Sequence, residues 1–223
     1  MLVRSLIAAA ALLTILPNSA FAQTSRTIKI IVPSTPGDVY LVLSELMAHK
    51  RIDIAVRAFN DLGRPLLIVG NGPDARRLHR LAGPTVTFTG RVSDSEAAHL
   101  LGRTRALIVT ATEEFGIAAV EAQAAGRPVI ALNEGGVRET VVEGVTGAFF
   151  DRPDPASLAE AVRSFDALAV DPEACVANAR RFDSAQFRRG LEAVVERHLD
   201  GDGARRVPRR RPPRRARGLA RQA

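Results

Sequence analysis

The 223-residue chain has no tryptophan, one tyrosine and one cysteine. With aromatics this sparse (nine phenylalanines besides), a base-stacking platform for single-stranded nucleic acid is excluded. The lone Cys175 cannot close an internal disulfide, and no Cys or His stands at metal-ligand spacing from it, so it reads as a small core residue. Long hydrophobic runs are missing too. The run at the N-terminus, Leu6 to Leu16, has eleven residues, well short of the ~20 that a spanning helix needs. Acids are absent from the end of the chain, where nine arginines follow from Arg205 onward. The formal charge of +7 therefore belongs to that tail, and the chain without those nine sums to −2. The charge sign says nothing about a nucleic-acid partner for the globular part.

What is present divides the chain into unlike stretches. Arg4, the apolar run and Asn18-Ser19-Ala20-Phe21-Ala22 have the layout of a signal peptide over residues 1–22, with Ala20 and Ala22 at the small-residue cleavage positions. Residues 23–38 then read as a strand, Thr27 to Val32, ended by a Pro36-Gly37 loop. After Leu199, Asp200-Gly201-Asp202-Gly203 opens an Arg/Pro/Ala tail with no apolar period, which cannot bury enough surface to fold. That tail is expected to make weak, non-specific anionic contacts and no specific nucleic-acid contact.

The stretch from Val39 to Leu199 is periodic. Short aliphatic runs at Tyr40–Ser44, Pro65–Gly70, Thr85–Thr89, Ala106–Thr110, Pro128–Leu132 and Gly147–Phe150 alternate with helical stretches at Arg51–Leu62, Asp74–Leu81, Asp94–Leu101, Gly116–Ala125 and Pro155–Leu168. Two more helices are expected near Pro172–Arg181 and Ser184–Leu199. Nearly continuous Val/Ile/Leu strands separated by helices predict an α/β fold with a Rossmann-like, doubly wound parallel sheet.

In such a sheet, ligands bind beyond the carboxyl ends of the strands. The turn after the fourth strand reads Ala111-Thr112-Glu113-Glu114-Phe115-Gly116-Ile117 and runs into a helix carrying Glu121. Gly116 admits close backbone approach, and the free N–H groups of the new helix suit an anion. A carboxylate suits a sugar diol. Glu121 leans toward the helix N-terminus and is expected to reach the same pocket as Glu113. Taken on spacing alone, the two acids fit a nucleotide-sugar site or a solvated helix start equally well.

The segment Glu-Glu-Phe-Gly-Ile-Ala-Ala-Val-Glu-Ala-Gln-Ala-Ala-Gly-Arg-Pro-Val-Ile-Ala, from Glu113, resembles the glutamate-seven-residues-glutamate motif of family 4 (group 1) retaining glycosyltransferases. Lys50-Arg51-Ile52-Asp53, Gly70-Asn71-Gly72-Pro73, Phe88-Thr89-Gly90-Arg91-Val92, Gly135-Gly136-Val137-Arg138-Glu139-Thr140-Val141 and Gly144-Val145-Thr146-Gly147 extend the likeness in order. The resemblance implies the C-terminal, donor-binding lobe of a GT-B fold, acting on a nucleotide diphosphate-sugar in hexosyl or mannosyl transfer. It implies no metal or other cofactor. Lys50 would pair with the donor diphosphate, and Glu113 would contact the sugar. Phe115, Gly116 and Ile117 would offer backbone N–H groups, Glu121 would hold the ribose, and Gly90, Arg91 and Val92 would lie beside the base. Many members carry an arginine five residues before the lysine, and here Glu45 stands there, so Glu45 is expected to point away or to be compensated by Arg51 or another group.

The acceptor, a glycan or a lipid-linked glycan, would need an N-terminal lobe that Met1 to Asp38 is too short to supply. The chain alone is therefore expected to bind donor and to transfer little. Residues 1–38 themselves resemble the leader and first strand of a solute receptor of tripartite tricarboxylate transporters. An exported solute-binding protein is the alternative reading. The leader implies the periplasm, whereas the domain is of a cytoplasmic type, the expected location if the N-terminus is a misjoin near Asp38. Gly70-Asn71-Gly72-Pro73-Asp74-Ala75 fits a loose dinucleotide pattern and is read as a strand-to-helix turn. Asp200-Gly201-Asp202 is read as chance, and the four histidines have no ligand spacing.

Overall fold

The computed structural model describes residues 37–165 and 170–199. The expected signal peptide, the strand expected at Thr27–Val32, residues 166–168 of the helix expected at Pro155–Leu168 and the arginine tail lie outside the described residues.

Six strands form one all-parallel sheet: β1 Tyr40–Leu43, β2 Leu66–Val69, β3 Val86–Gly90, β4 Ala106–Val109, β5 Val129–Leu132 and β6 Gly147–Phe150. Their order is β3-β2-β1-β4-β5-β6, with β1 paired to β2 and β4 on either side. The expected doubly wound sheet is what the chain forms. Its helices are α1 Ile52–Leu62, α2 Ala75–Leu81, α3 Asp94–Leu101, α4 Ile117–Ala124, α5 Val137–Thr140, α6 Pro155–Phe165, α7 Pro172–Ala179 and α8 Ser184–Leu199. Single 3-10 turns occupy Ala48–Lys50 and Arg180–Phe182. Helix α5, a single turn, is not among the helices expected from the sequence.

The strands read as continuous aliphatic runs because both their faces are covered. Side chains at alternate positions (Tyr40 and Val42, Leu66 and Ile68, Ala106 and Ile108, Ile130 and Leu132) join one core with Ile52, Val56 and Phe59 of α1 and Leu158 and Val162 of α6. The intervening Leu41, Leu67, Leu107, Val129 and Ala131 are equally buried. On that second face α4 packs against α3 and α7. Each fully buried Leu, Ile or Phe contributes about 1.5–3 kcal/mol relative to an exposed one. Helix α8 differs from the rest. Its Phe187, Leu191, Val194 and Val195 are all exposed.

The strand order places a topological switch point between β1 and β4, whose following connections leave in opposite directions from the sheet. Ser44 to Lys50 and Thr110 to Gly116 are therefore brought together over the carboxyl end of the sheet.

Candidate active site

Lys50 reaches this crevice because the chain turns sharply after β1. The turn Ala48–Lys50 ends at Arg51, which is left-handed (φ 50°) and is the only such non-glycine among the described residues. Thr110 Oγ1 donates to the Lys50 carbonyl at 2.8 Å, tying the turn to the end of β4. Opposite stands Glu113, held by its own main chain: Gly136 N–H donates to the Glu113 carbonyl at 2.7 Å. A Cβ at Gly136 would fall on the Glu114 carbonyl oxygen, far inside contact distance, so only glycine lets the two loops approach this closely.

Between these two fixed backbones, Lys50 Nζ donates to both carboxylate oxygens of Glu113, at 2.9 Å and 2.8 Å. The sequence motifs give these two residues separate partners; the fold makes them partners of one another. Both side chains keep about a quarter of their surface exposed (25% and 24%).

The helix after Glu113 starts at Gly116, whose φ of 82° is open to glycine and strained for a side chain. The first turn of α4 closes on the Gly116 carbonyl, which accepts from Ala119 and Val120 at 2.9 and 3.3 Å. The N–H groups of Gly116, Ile117 and Ala118 precede those donors, so helix geometry gives them no carbonyl four residues back. Phe115 and Ile117 are exposed, and the Phe115 ring meets Phe182 edge to face at 5.7 Å.

Two cavities meet at the end of β1. The smaller, about 610 Å³, is lined by His49, Lys50, Glu113, Glu114 and the residues from Phe115 to Ala119. The larger, about 1050 Å³, runs between the ends of β2 and β3 and the helices α3 and α4. Arg91, Val92, Asp94 and Glu121 line it, with Leu101, Ala124 and Ala125 as apolar wall. Leu43, Ser44 and Glu45 belong to both.

Glu113 and Glu121 therefore do not share one pocket, as their spacing suggests, but mark two that share a wall. Glu121 follows about one turn into α4, and that turn rotates it toward α3. Its carboxyl is held above its ordinary value, first by desolvation against the cavity wall and then by the nearby Asp94 charge. Gly90 is not a lining residue; its carbonyl instead accepts from Gly70 N–H at 2.9 Å.

Glu45 is exposed on the shared wall rather than turned away. Arg51 does not compensate it. That guanidinium lines neither cavity and is drawn instead to the Pro153 carbonyl (3.3 Å) and Asp53 (3.8 Å). The dinucleotide-like Gly70–Ala75 turn packs on the β1 loop, with Leu46 N–H donating to Asn71 O at 2.9 Å and Asp74 N–H to Leu46 O at 3.0 Å.

One functional feature leaves almost no trace in the sequence. Gln123, fully buried on α4, donates to the carbonyls of Ala119 (3.0 Å) and Thr140 (2.8 Å). Asn178 on α7 donates to Gln123 Oε1 at 2.6 Å and to the Thr140 carbonyl at 2.8 Å. Arg181 in turn donates to Asn178 Oδ1 at 2.8 Å. This network clamps α4 between α5 and α7, and so sets where Gly116 and Glu121 point. A glutamine two residues after a site glutamate is the one sequence signal available for it.

Residues 25–182 match the glycosyl transferases group 1 family. The chain belongs to that family. The match starts at residue 25, ahead of Val39, where the domain is expected to begin. Over 195 residues the chain is 32% identical to glycogen synthase of Mycobacterium tuberculosis, covering 81% of this chain and 47% of that protein. It is 37% identical over 187 residues to the GDP-mannose-dependent alpha-(1-6)-phosphatidylinositol monomannoside mannosyltransferase of the same organism, covering 74% and 48%. The chain thus spans about half the length of the curated relatives it matches.

Among solved structures, Anabaena Alr3699/HepE in complex with UDP-glucose superposes with a TM-score of 0.64 at 24% identity, over 72% of this chain and 49% of that one. Sucrose-phosphate synthase of Thermosynechococcus elongatus does so with 0.59 at 28% identity, over 74% and 45%. The fold is one lobe of the GT-B kind.

Proposed function

We propose that residues 39–199 bind a nucleoside diphosphate-sugar as the donor of a retaining sugar transfer. The observation that carries this reading is the pair of cavities joined along Ser44 and Glu45, with a cation and helix N–H groups in one and an apolar wall with a carboxylate in the other. The α4 N-terminus decides the orientation. Each cavity sets one cation against three carboxylates, but the smaller one is lined by the first residues of α4, whose free N–H groups suit phosphate, whereas the larger one has an apolar wall and Glu121, which suit a base and a ribose diol. Glu121 then accepts from the ribose hydroxyls, and Arg91 and Val92 flank the base.

The smaller cavity takes the diphosphate and sugar. Lys50 and the N–H groups at the start of α4 face the diphosphate, and Glu113 faces the sugar hydroxyls. Negative charge develops on the leaving diphosphate as the glycosidic bond breaks, and preorganised donors there supply the electrostatic stabilisation. No step in this scheme is routed through a metal. Names of relatives support the donor class: one is GDP-mannose-dependent and one structural neighbour holds UDP-glucose. We further propose that transfer needs an acceptor-binding lobe facing these cavities, so that the described domain binds donor by itself and transfers little.

A thermal-shift panel of UDP-glucose, GDP-mannose and ADP-glucose tests the reading. Stabilisation by at least one donor, unchanged by EDTA and reduced in K50A, is expected. No shift with any of them would overturn it.

A further inference from the structure

The two oxygens of Glu113 hold the Lys50 ammonium within the cavity proposed for the diphosphate. The lining of the smaller cavity contains one full cation, Lys50, against Glu45, Glu113 and Glu114. Among the described residues, Arg91 is the one Arg or Lys that lines the larger cavity. Two of the three ammonium N–H groups and the positive charge of Lys50 are already engaged by Glu113, so a diphosphate entering the smaller cavity gains the whole ammonium only by displacing Glu113 from it. The exchange is mechanically open: both main chains are pinned, by Thr110 at Lys50 and by Gly136 at Glu113, while both side chains are long and a quarter exposed. The pair can separate without moving the loops.

We infer that Glu113 acts as an internal competitor of the diphosphate for Lys50, and thereby selects the intact donor over the spent nucleotide. This rests on the donor-site reading above. When an intact donor binds, Glu113 gives up the ammonium and gains sugar hydroxyls as replacement donors. When only the nucleoside diphosphate is present, Glu113 gives up the ammonium and gains nothing. Recapture of Lys50 by Glu113 then favours release of the spent nucleotide. One carboxylate thus couples recognition of the sugar to loss of the leaving group, and product inhibition is weakened as a result.

The test is calorimetric titration of the full chain with UDP, GDP and ADP and with UDP-glucose, GDP-mannose and ADP-glucose, in wild type, E113Q, K50M and K50M/E113Q. Melting curves of each variant establish that it is folded. For the nucleotide that wild type binds, E113Q is expected to tighten the bare diphosphate by roughly twofold to fivefold, the worth of a partly exposed ion pair released. The matching sugar donor is expected to gain nothing or to weaken, so the preference for donor over diphosphate falls. In the K50M background, E113Q is expected to tighten diphosphate clearly less than it does beside Lys50, because only the direct repulsion of the carboxylate is then removed and no ammonium is released.

If wild type binds a diphosphate and E113Q leaves it unchanged or weaker, the competition is refuted while the donor site stands. The competition is refuted equally if E113Q tightens diphosphate to the same extent with and without Lys50. If no nucleotide binds any variant, the donor-site reading fails and takes this inference with it.

Discussion

Lys50 and Glu113, 63 positions apart in the chain, are joined by two hydrogen bonds across the switch point between β1 and β4. The contact exists because β1 and β4 are neighbours in a parallel sheet, so that the loops leaving their carboxyl ends must share one crevice. Replacing Lys50 by alanine removes the charge that faces the proposed diphosphate. A hydrogen bond to a charged group contributes about 1.5–3 kcal/mol, so K50A is expected to weaken nucleotide binding roughly tenfold to a hundredfold. Binding of the bare nucleoside should be unaffected, and titration of both ligands separates the two effects.

Glu45 gives the opposite expectation. Glu45 is exposed on the wall common to both cavities, and so beside the path proposed for the donor from ribose to diphosphate. Two charges near a surface still interact at this range, although salt screens them. E45Q is expected to tighten nucleoside diphosphate binding about twofold to fivefold at low salt, and E45R more. The gain should shrink at high ionic strength, and titrations at two salt concentrations measure this.

Glu121 sets a pH dependence. Its carboxyl is raised above its ordinary value by desolvation and by Asp94. In the proposed donor site the ionised form accepts from the ribose diol, so donor affinity should fall as pH drops, starting at a higher pH than for an unperturbed glutamate. The stability effect has the other sign. A folded-state value above the unfolded one contributes stability at low pH that is lost as pH rises through the raised value. E121Q should therefore bind donor weakly at every pH, and its melting temperature should gain slightly on wild type as pH rises from about 4 to about 7. Melting and titration series across that range read both slopes.

The clamp on α4 is a stability element. Gln123 and Asn178 are buried and together satisfy the Thr140 carbonyl. Removing one partner strands the other, at about 1–3 kcal/mol for each buried polar group left unpaired. N178A is expected to be destabilised by about 2–3 kcal/mol and also to bind nucleotide less tightly, because α4 carries Gly116 and Glu121. Denaturant midpoints measure the first effect and titration the second. Loss of stability with unchanged nucleotide affinity would show that the clamp does not position the site.

The sheet was legible because each strand is buried on both faces and so reads as a short Val/Ile/Leu run bounded by Gly, Pro or Thr. All six strands and seven of the eight helices follow from that alternation, within a residue or two at most ends. Helix α5 escaped because Val137–Thr140 is a single turn, too short for any period to develop. The candidate site residues come from motif order, which carries nothing about their contacts. Whether Glu113 faces Lys50 or Glu121 depends on strand order and on how far α4 turns between residues 113 and 121. Gln123 is a polar residue that no local pattern marks as buried; only the packing of α7 over α4 encloses it.

The most direct measurement is calorimetric titration of the full chain with UDP-glucose, GDP-mannose and ADP-glucose, beside K50A and E121A. Saturable one-to-one binding of one of these donors, weakened in both variants, is the expected result. No binding to any of them, or binding that survives both substitutions unchanged, contradicts a donor site built on Lys50, Glu113 and Glu121.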